Sequence, residues 1–63
     1  MIKGNKYRHC QTLDTDLYVI SVRWSDLEET IVRAAIVNRN TEEVYEIGTY
    51  TIKDEDMRNW RKI

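Results

Sequence analysis

Residues 25–38 read Ser-Asp-Leu-Glu-Glu-Thr-Ile-Val-Arg-Ala-Ala-Ile-Val-Asn, and the fold turns on whether this stretch is a helix or a strand. A helix would use Ser25 and Glu28 as a capping box, with Leu27, Ile31, Ala34 and Ala35 at helical spacing and Glu29 four residues before Arg33. A strand would use Thr30, Ile31, Val32, Ile36 and Val37, all β-branched, with Ser25–Glu29 as an acidic loop before them. β-branched side chains are stiff in a helix, and the segments on both sides need a pairing partner. The strand is therefore favoured, and an α+β fold with a central helix at 26–37 is the alternative.

The neighbouring segments support the β reading. Leu17–Trp24 alternates Tyr18, Ile20, Val22 and Trp24 against Val19, Ser21 and Arg23, a period of two. Lys6–Cys10 reads as a short strand and Gln11–Asp16 as the polar turn after it. Beyond the deciding stretch, Asn38–Glu42 is a polar hairpin loop and Glu43–Tyr50 a strand, with Gly48 marking a bulge or a close approach. Thr51 or Asp54 then caps a short helical turn that sets Met57 and Trp60 on one face. The whole chain, 1–63, is expected to form one mainly β domain. The expected architecture is a small SH3-like barrel of about five strands with a short C-terminal helical turn, its open end closed by Trp60.

Length sharpens the problem. A chain of 63 residues has a core worth roughly 3–5 kcal/mol unless something staples it. Cys10 is the one cysteine, so no internal disulfide forms, and no Cys/His set has zinc-ligand spacing. Self-association is the staple that remains, and a homo-oligomer is expected. The 41% hydrophobic and 33% charged composition with net charge -1 is that of an ordinary globular domain. Charges interrupt every apolar run, so no membrane contact is expected. The basic N-terminus lacks an apolar signal region, which points to a cytoplasmic protein.

The run Gly4-x-x-Tyr7-Arg8-His9, followed by Thr12, Tyr18-x-Ile20, Val37 and Val44-Tyr45, resembles a family of small uncharacterised bacterial and phage domains. Those domains open on a Gly-x-x-Tyr-Arg-His strand and end in an aromatic-containing helical turn. The resemblance covers most of the chain and implies the SH3-like barrel. It implies no activity, and it fits a phage accessory protein.

No catalytic constellation is present. His9 and Cys10 are adjacent on a strand and point to opposite faces, so they form neither a dyad nor a metal pair. Asp14-Thr15-Asp16 has half of a calcium loop but lacks its turn glycine and terminal glutamate. No phosphate-cradling glycine loop or nucleophile elbow occurs. No enzyme, metal or cofactor is expected.

Charge placement is the informative feature. Residues 1–10 hold three cations and no acid, residues 11–50 hold three arginines against eight acids, and residues 51–63 hold four cations against three acids. In an SH3-like barrel the first and last strands are neighbours, so positive charge gathers on one side. The leading expectation is a non-enzymatic binding module that docks another protein through Asp14, Asp16, Trp24, Asp26, Glu28 and Glu29. The alternative is a nucleic-acid or nucleotide binder using a basic edge of Lys3, Lys6, Tyr7, Arg8, Trp60, Arg61 and Lys62.

Overall fold

A computed structural model describes all residues 1–63. The chain runs β1 (Lys6–His9), β2 (Thr15–Ser25), β3 (Glu29–Asn38), β4 (Val44–Lys53), α1 (Asp54–Met57) and β5 (Trp60–Lys62). One antiparallel sheet holds all five strands in the order β4-β3-β2-β1-β5.

The deciding stretch is a strand, and the alternative helix at 26–37 does not form. β3 is an interior strand of the sheet with ladders to β2 and β4 along its length. Every hydrogen bond a helix would have supplied is thus replaced from two sides. The acidic residues that would have opened a helix close a hairpin: the Asp26 carboxylate accepts the backbone N–H groups of Glu28 and Glu29, at 2.8 and 2.9 Å.

β1 and β5 pair, as the expected topology requires, with Arg8 beside Arg61 and His9 beside Trp60. The barrel itself does not close. β4 and β5 are the two edges of an open sheet, and no ladder joins them. β5 is three residues long, and α1 intervenes between the two edges. Trp60 therefore closes no barrel end; it sits in β5, half-buried against the core.

The helical turn also starts differently from expectation. Lys53 occupies the N-cap position without a side-chain cap, so neither Thr51 nor Asp54 has that role. The Asp54 N–H is satisfied instead by the Glu28 carbonyl, at 2.8 Å, which ties α1 to the β2–β3 hairpin.

In β2 the phase of large side chains is mostly not the core phase. Leu17 and Val19 are buried, whereas Tyr18, Ile20, Val22 and Trp24 are exposed. Register shifts between Val19 and Ser21 and between Val22 and Trp24 leave Ile20 and Arg23 as extra residues opposite β3. These bulges bend β2 and move Val22 beside the fully buried Val32, while Tyr18 lies beside Ala35. The core is Tyr7, Leu17, Val19, Val32, Ala34 and Ile52, with Met1, Ile36, Tyr50, Met57 and Trp60 packed against it. Gly48 provides the close approach read from the sequence: a Cβ there would stand 3.1 Å from the Tyr50 hydroxyl oxygen, so its absence lets that ring fold back along β4.

The inverted phase is directly testable. Val19→Ala removes two buried methyl groups and is expected to cost about 2 kcal/mol. Ile20→Ala, one residue away, is expected to cost less than about 1 kcal/mol. Urea melts of the two variants check this; equal losses would mean that Ile20 shares the core.

Candidate anion-binding site

The site grows from one buried carboxylate. Asp16, near the start of β2, is 4% exposed. Arg8 on β1 grips it with a fork, Nε donating to Oδ1 at 2.9 Å and Nη2 to Oδ2 at 3.0 Å. Arg39, just after β3, donates its Nε to the same Oδ1 at 3.2 Å. The Arg39 Nη2 also donates to the carbonyls of Thr12 and Thr15, at 3.0 and 3.2 Å. The Arg39 N–H reaches the Asp14 carbonyl at 2.8 Å. The Arg8 hydrogen bonds, with help from Arg39, hold the Asp16 carboxyl below its usual pKa against the opposing effect of burial.

Two guanidinium groups on one carboxylate leave a net positive charge, and two more arginines add to it. Arg58, which ends α1, and Arg61 on β5 join Arg8 and Arg39 around a cavity of about 420 Å³ that Cys10 and Asn59 complete. Four of the six arginines in the chain thus meet at one place. Neither Arg58 nor Arg61 has a carboxylate within ion-pair distance. Planar guanidinium forks facing one cavity are suited to a phosphate or carboxylate.

A second cavity of about 570 Å³ lies against one face of the sheet, lined by residues of all five strands. Leu17, Ile36 and Ile52 form its apolar floor, and Tyr50 and Trp60 its aromatic lining. His9 and Thr12 lie on the lining of both cavities.

His9 is fixed on the partition between them. Its Nδ1 accepts the Gln11 N–H at 3.1 Å, which assigns the proton to Nε2. Nε2 then donates to the Asp56 carboxylate at 3.1 and 3.2 Å. Asp56 also accepts Asn59 Nδ2 at 2.7 Å and Trp60 Nε1 at 3.1 Å. The Asn59 bond, followed by that from His9, holds the Asp56 carboxyl below its usual pKa. The His9 and Trp60 rings meet edge to face, 4.8 Å between centroids.

The residues singled out in the sequence are redistributed by these contacts. Of the basic-edge set, Arg8 and Arg61 meet at the arginine cavity, and Trp60 lines the adjoining cleft. Lys62 lies beside Tyr7 on the β1–β5 ladder, and Lys3 is exposed in the turn before β1. Lys6 is paired with Glu42 at 2.9 Å. Tyr7 offers no ring to a ligand: it is buried in the core, and its hydroxyl accepts the Ile2 N–H at 2.8 Å.

The acidic set is split. Trp24, Asp26, Glu28 and Glu29 gather at the β2–β3 hairpin, where Trp24 Nε1 donates to Asp26 and Lys53 pairs with Glu29. Asp14 lies in the β1–β2 loop before the other end of β2, and Asp16 is enclosed by arginines. Arg39 and Arg58 were missed by sequence reasoning. Arg39 gave no local signal, since only the β3–β4 hairpin carries it to Asp16; the Arg58-x-x-Arg61 spacing was the one available clue to Arg58.

Asp16→Asn leaves two guanidinium groups facing each other. It is expected to cost toward the low end of the about 3–5 kcal/mol typical of a broken buried pair, because both arginines keep some contact with water. Asp16, Asp26 and Asp56 all hold their protons less tightly folded than unfolded. Their stabilisation is therefore present above the unfolded carboxyl pKa of about 3.9 and is lost as pH falls below it toward the folded values. Urea melts at pH 7 and pH 3 should show this loss in the wild type and a smaller one in Asp16→Asn. An equal loss in both would remove Asp16 from the acid response.

Comparison with known proteins finds no match to this chain among protein-family models, curated proteins or solved structures.

Proposed function

We propose that the protein is a non-enzymatic binding module that holds a phosphate-bearing ligand, a nucleic acid or nucleotide, on its β1–β5 side. The observation that carries this reading is the convergence of Arg8, Arg39, Arg58 and Arg61 on one cavity with a single carboxylate among them. Asp16 supports the reading further, because it holds two of the four guanidinium groups in place before a ligand arrives. The non-enzymatic part rests on His9, whose two ring nitrogens are both engaged, leaving no base for a nucleophile. Docking of a protein at the acidic side has less support, since Asp16 is enclosed and Asp14 lies apart from the Asp26–Glu29 hairpin.

The test is binding of a single-stranded oligonucleotide as a function of salt. Each phosphate contact contributes a slope of about -0.7 to log K against log salt concentration. Arg58→Gln with Arg61→Gln is expected to weaken binding and to flatten that slope by about 1.4, provided each residue makes one contact. Reversing Asp26, Glu28 and Glu29 to Lys should not weaken it. Unchanged affinity in the arginine double variant would refute the reading.

We also propose that the chain pairs with a second copy through β4. This edge strand is ten residues long, contains no proline, and exposes Val44, Tyr45 and Ile47. Only ten of the 63 residues are buried, so a single copy has little core to spare. Sedimentation at micromolar concentration is expected to give a dimer, and Ile47→Lys, which charges the edge, a monomer. A wild-type monomer would overturn the pairing.

A further inference from the structure

We infer that the ligand is a single-stranded nucleic acid that runs from the arginines over the adjoining face of the sheet, with an unpaired base stacked on Tyr18. This deepens the preceding reading and rests on it.

The register of the strands carries the argument. Arg8 stands beside Arg61 on the β1–β5 ladder and grips Asp16 on β2, so these three side chains share one face of the sheet. β2 pairs with β3 without a shift from Thr15 to Val19, so Tyr18, two residues after Asp16, lies on that same face. Its row across the sheet is Lys6 on β1, Tyr18 on β2, Ala35 on β3 and Ile47 on β4. One further step of two residues along β3 places Arg33 on this face as well. His9 and Trp60 belong to the opposite face, so the cleft takes no part.

The rows alternate in chemistry as a nucleic-acid strand does. The first row offers Arg61, which has no ion pair, beside the Arg8 and Arg39 that Asp16 holds. The second offers a ring, since Tyr18 is 40% exposed. The hydroxyls of Tyr7, Tyr45 and Tyr50 are hydrogen-bonded within the protein and that of Tyr18 is not, which leaves it open to a base edge or a phosphate. Ile47, also exposed, adds apolar surface on the far side of the small Ala35. The third row offers Arg33, exposed and without an ion pair.

Rows two residues apart are separated by about 6.7 Å along the strands, a distance that one nucleotide of an extended strand covers. Asp16 and Glu42, the carboxylates that touch the first two rows, are each held by a cation. A track of cation, ring and cation therefore meets phosphate, base and phosphate in turn. Paired bases keep their faces inside the duplex, so a ring standing on a sheet selects an unpaired one.

The experiment follows the fluorescence anisotropy of a labelled oligothymidylate titrated with the protein. Tyr18→Ala is expected to weaken binding about fivefold or more, the effect of one stacked base, and Tyr18→Phe to retain most of the affinity. A urea melt of Tyr18→Ala checks that the fold is kept. Arg33→Gln should flatten the salt dependence by about 0.7, the share of one phosphate contact. In the wild type, an oligonucleotide carrying 5-iodouracil should crosslink under ultraviolet light to Tyr18, which tests the contact without any substitution. A duplex of the same length is expected to bind several-fold more weakly than the single strand, and thymidine monophosphate more weakly still, because it reaches one row only. Unchanged affinity in folded Tyr18→Ala, a crosslink confined to other residues, or a duplex or mononucleotide bound as tightly as the strand overturns this inference. The arginine cavity stands in each of those cases if Arg58→Gln with Arg61→Gln still weakens binding. Failure of strand, duplex and mononucleotide alike overturns the preceding reading as well.

Discussion

The carboxylate of Asp16 is the contact on which the rest of this structure depends. Taken alone, a buried aspartate at the start of a strand would be a liability, because desolvation penalises the charge. Arg8 and Arg39 reverse that outcome by supplying three hydrogen bonds from two different elements. The same Arg39 side chain then bonds two carbonyls of the β1–β2 loop, at Thr12 and Thr15. One charged triad thus joins β1, β2, the end of β3 and the loop between β1 and β2. In a chain with so few buried residues, such ties have to supply the order that a larger apolar core would supply elsewhere.

The open sheet and the cleft have a common cause. β5 is three residues long, and the four-residue turn α1 follows β4 directly. That turn is anchored at both ends, through Asp54 to the Glu28 carbonyl and through Asp56 to the Asn59 N–H, His9 and Trp60. The sheet edges therefore remain separate, and the space a closed barrel would fill with side chains becomes a recess between Tyr50 and Trp60. The open edge and the recess arise here from the same short strand.

Much of the fold was legible because β-branching and period-two alternation are local properties. They placed β2, β3 and β4, and the central helix lost for the stated reason, since both edges of β3 found partners. The side of β2 that faces the core was not legible. Its largest side chains lie in one phase, but the bulges at Ile20 and Arg23 change the register, and a bulge leaves no mark in apolar periodicity. Barrel closure was equally invisible, because it depends on how far a three-residue strand reaches. At the site, Arg8 and Arg61 could be paired in advance from the adjacency of first and last strands. Asp16 could not be distinguished from Asp14 by composition; only the alternation of β2, which begins two residues earlier than the apolar pattern, turns one inward to the arginines and leaves the other in the loop.

His9 is held at both of its ring nitrogens. A histidine beside an aspartate and a cavity is a familiar acid–base arrangement, and its position between two cavities would suit one. Here both ring nitrogens already have partners. The Gln11 N–H occupies Nδ1 and Asp56 occupies Nε2, and the two contacts together orient the ring. That ring in turn meets the edge or face of Trp60, whose own N–H is bonded to Asp56. Trp60 is thus fixed from two sides, by the edge contact with His9 and by the Asp56 carboxylate that both rings share.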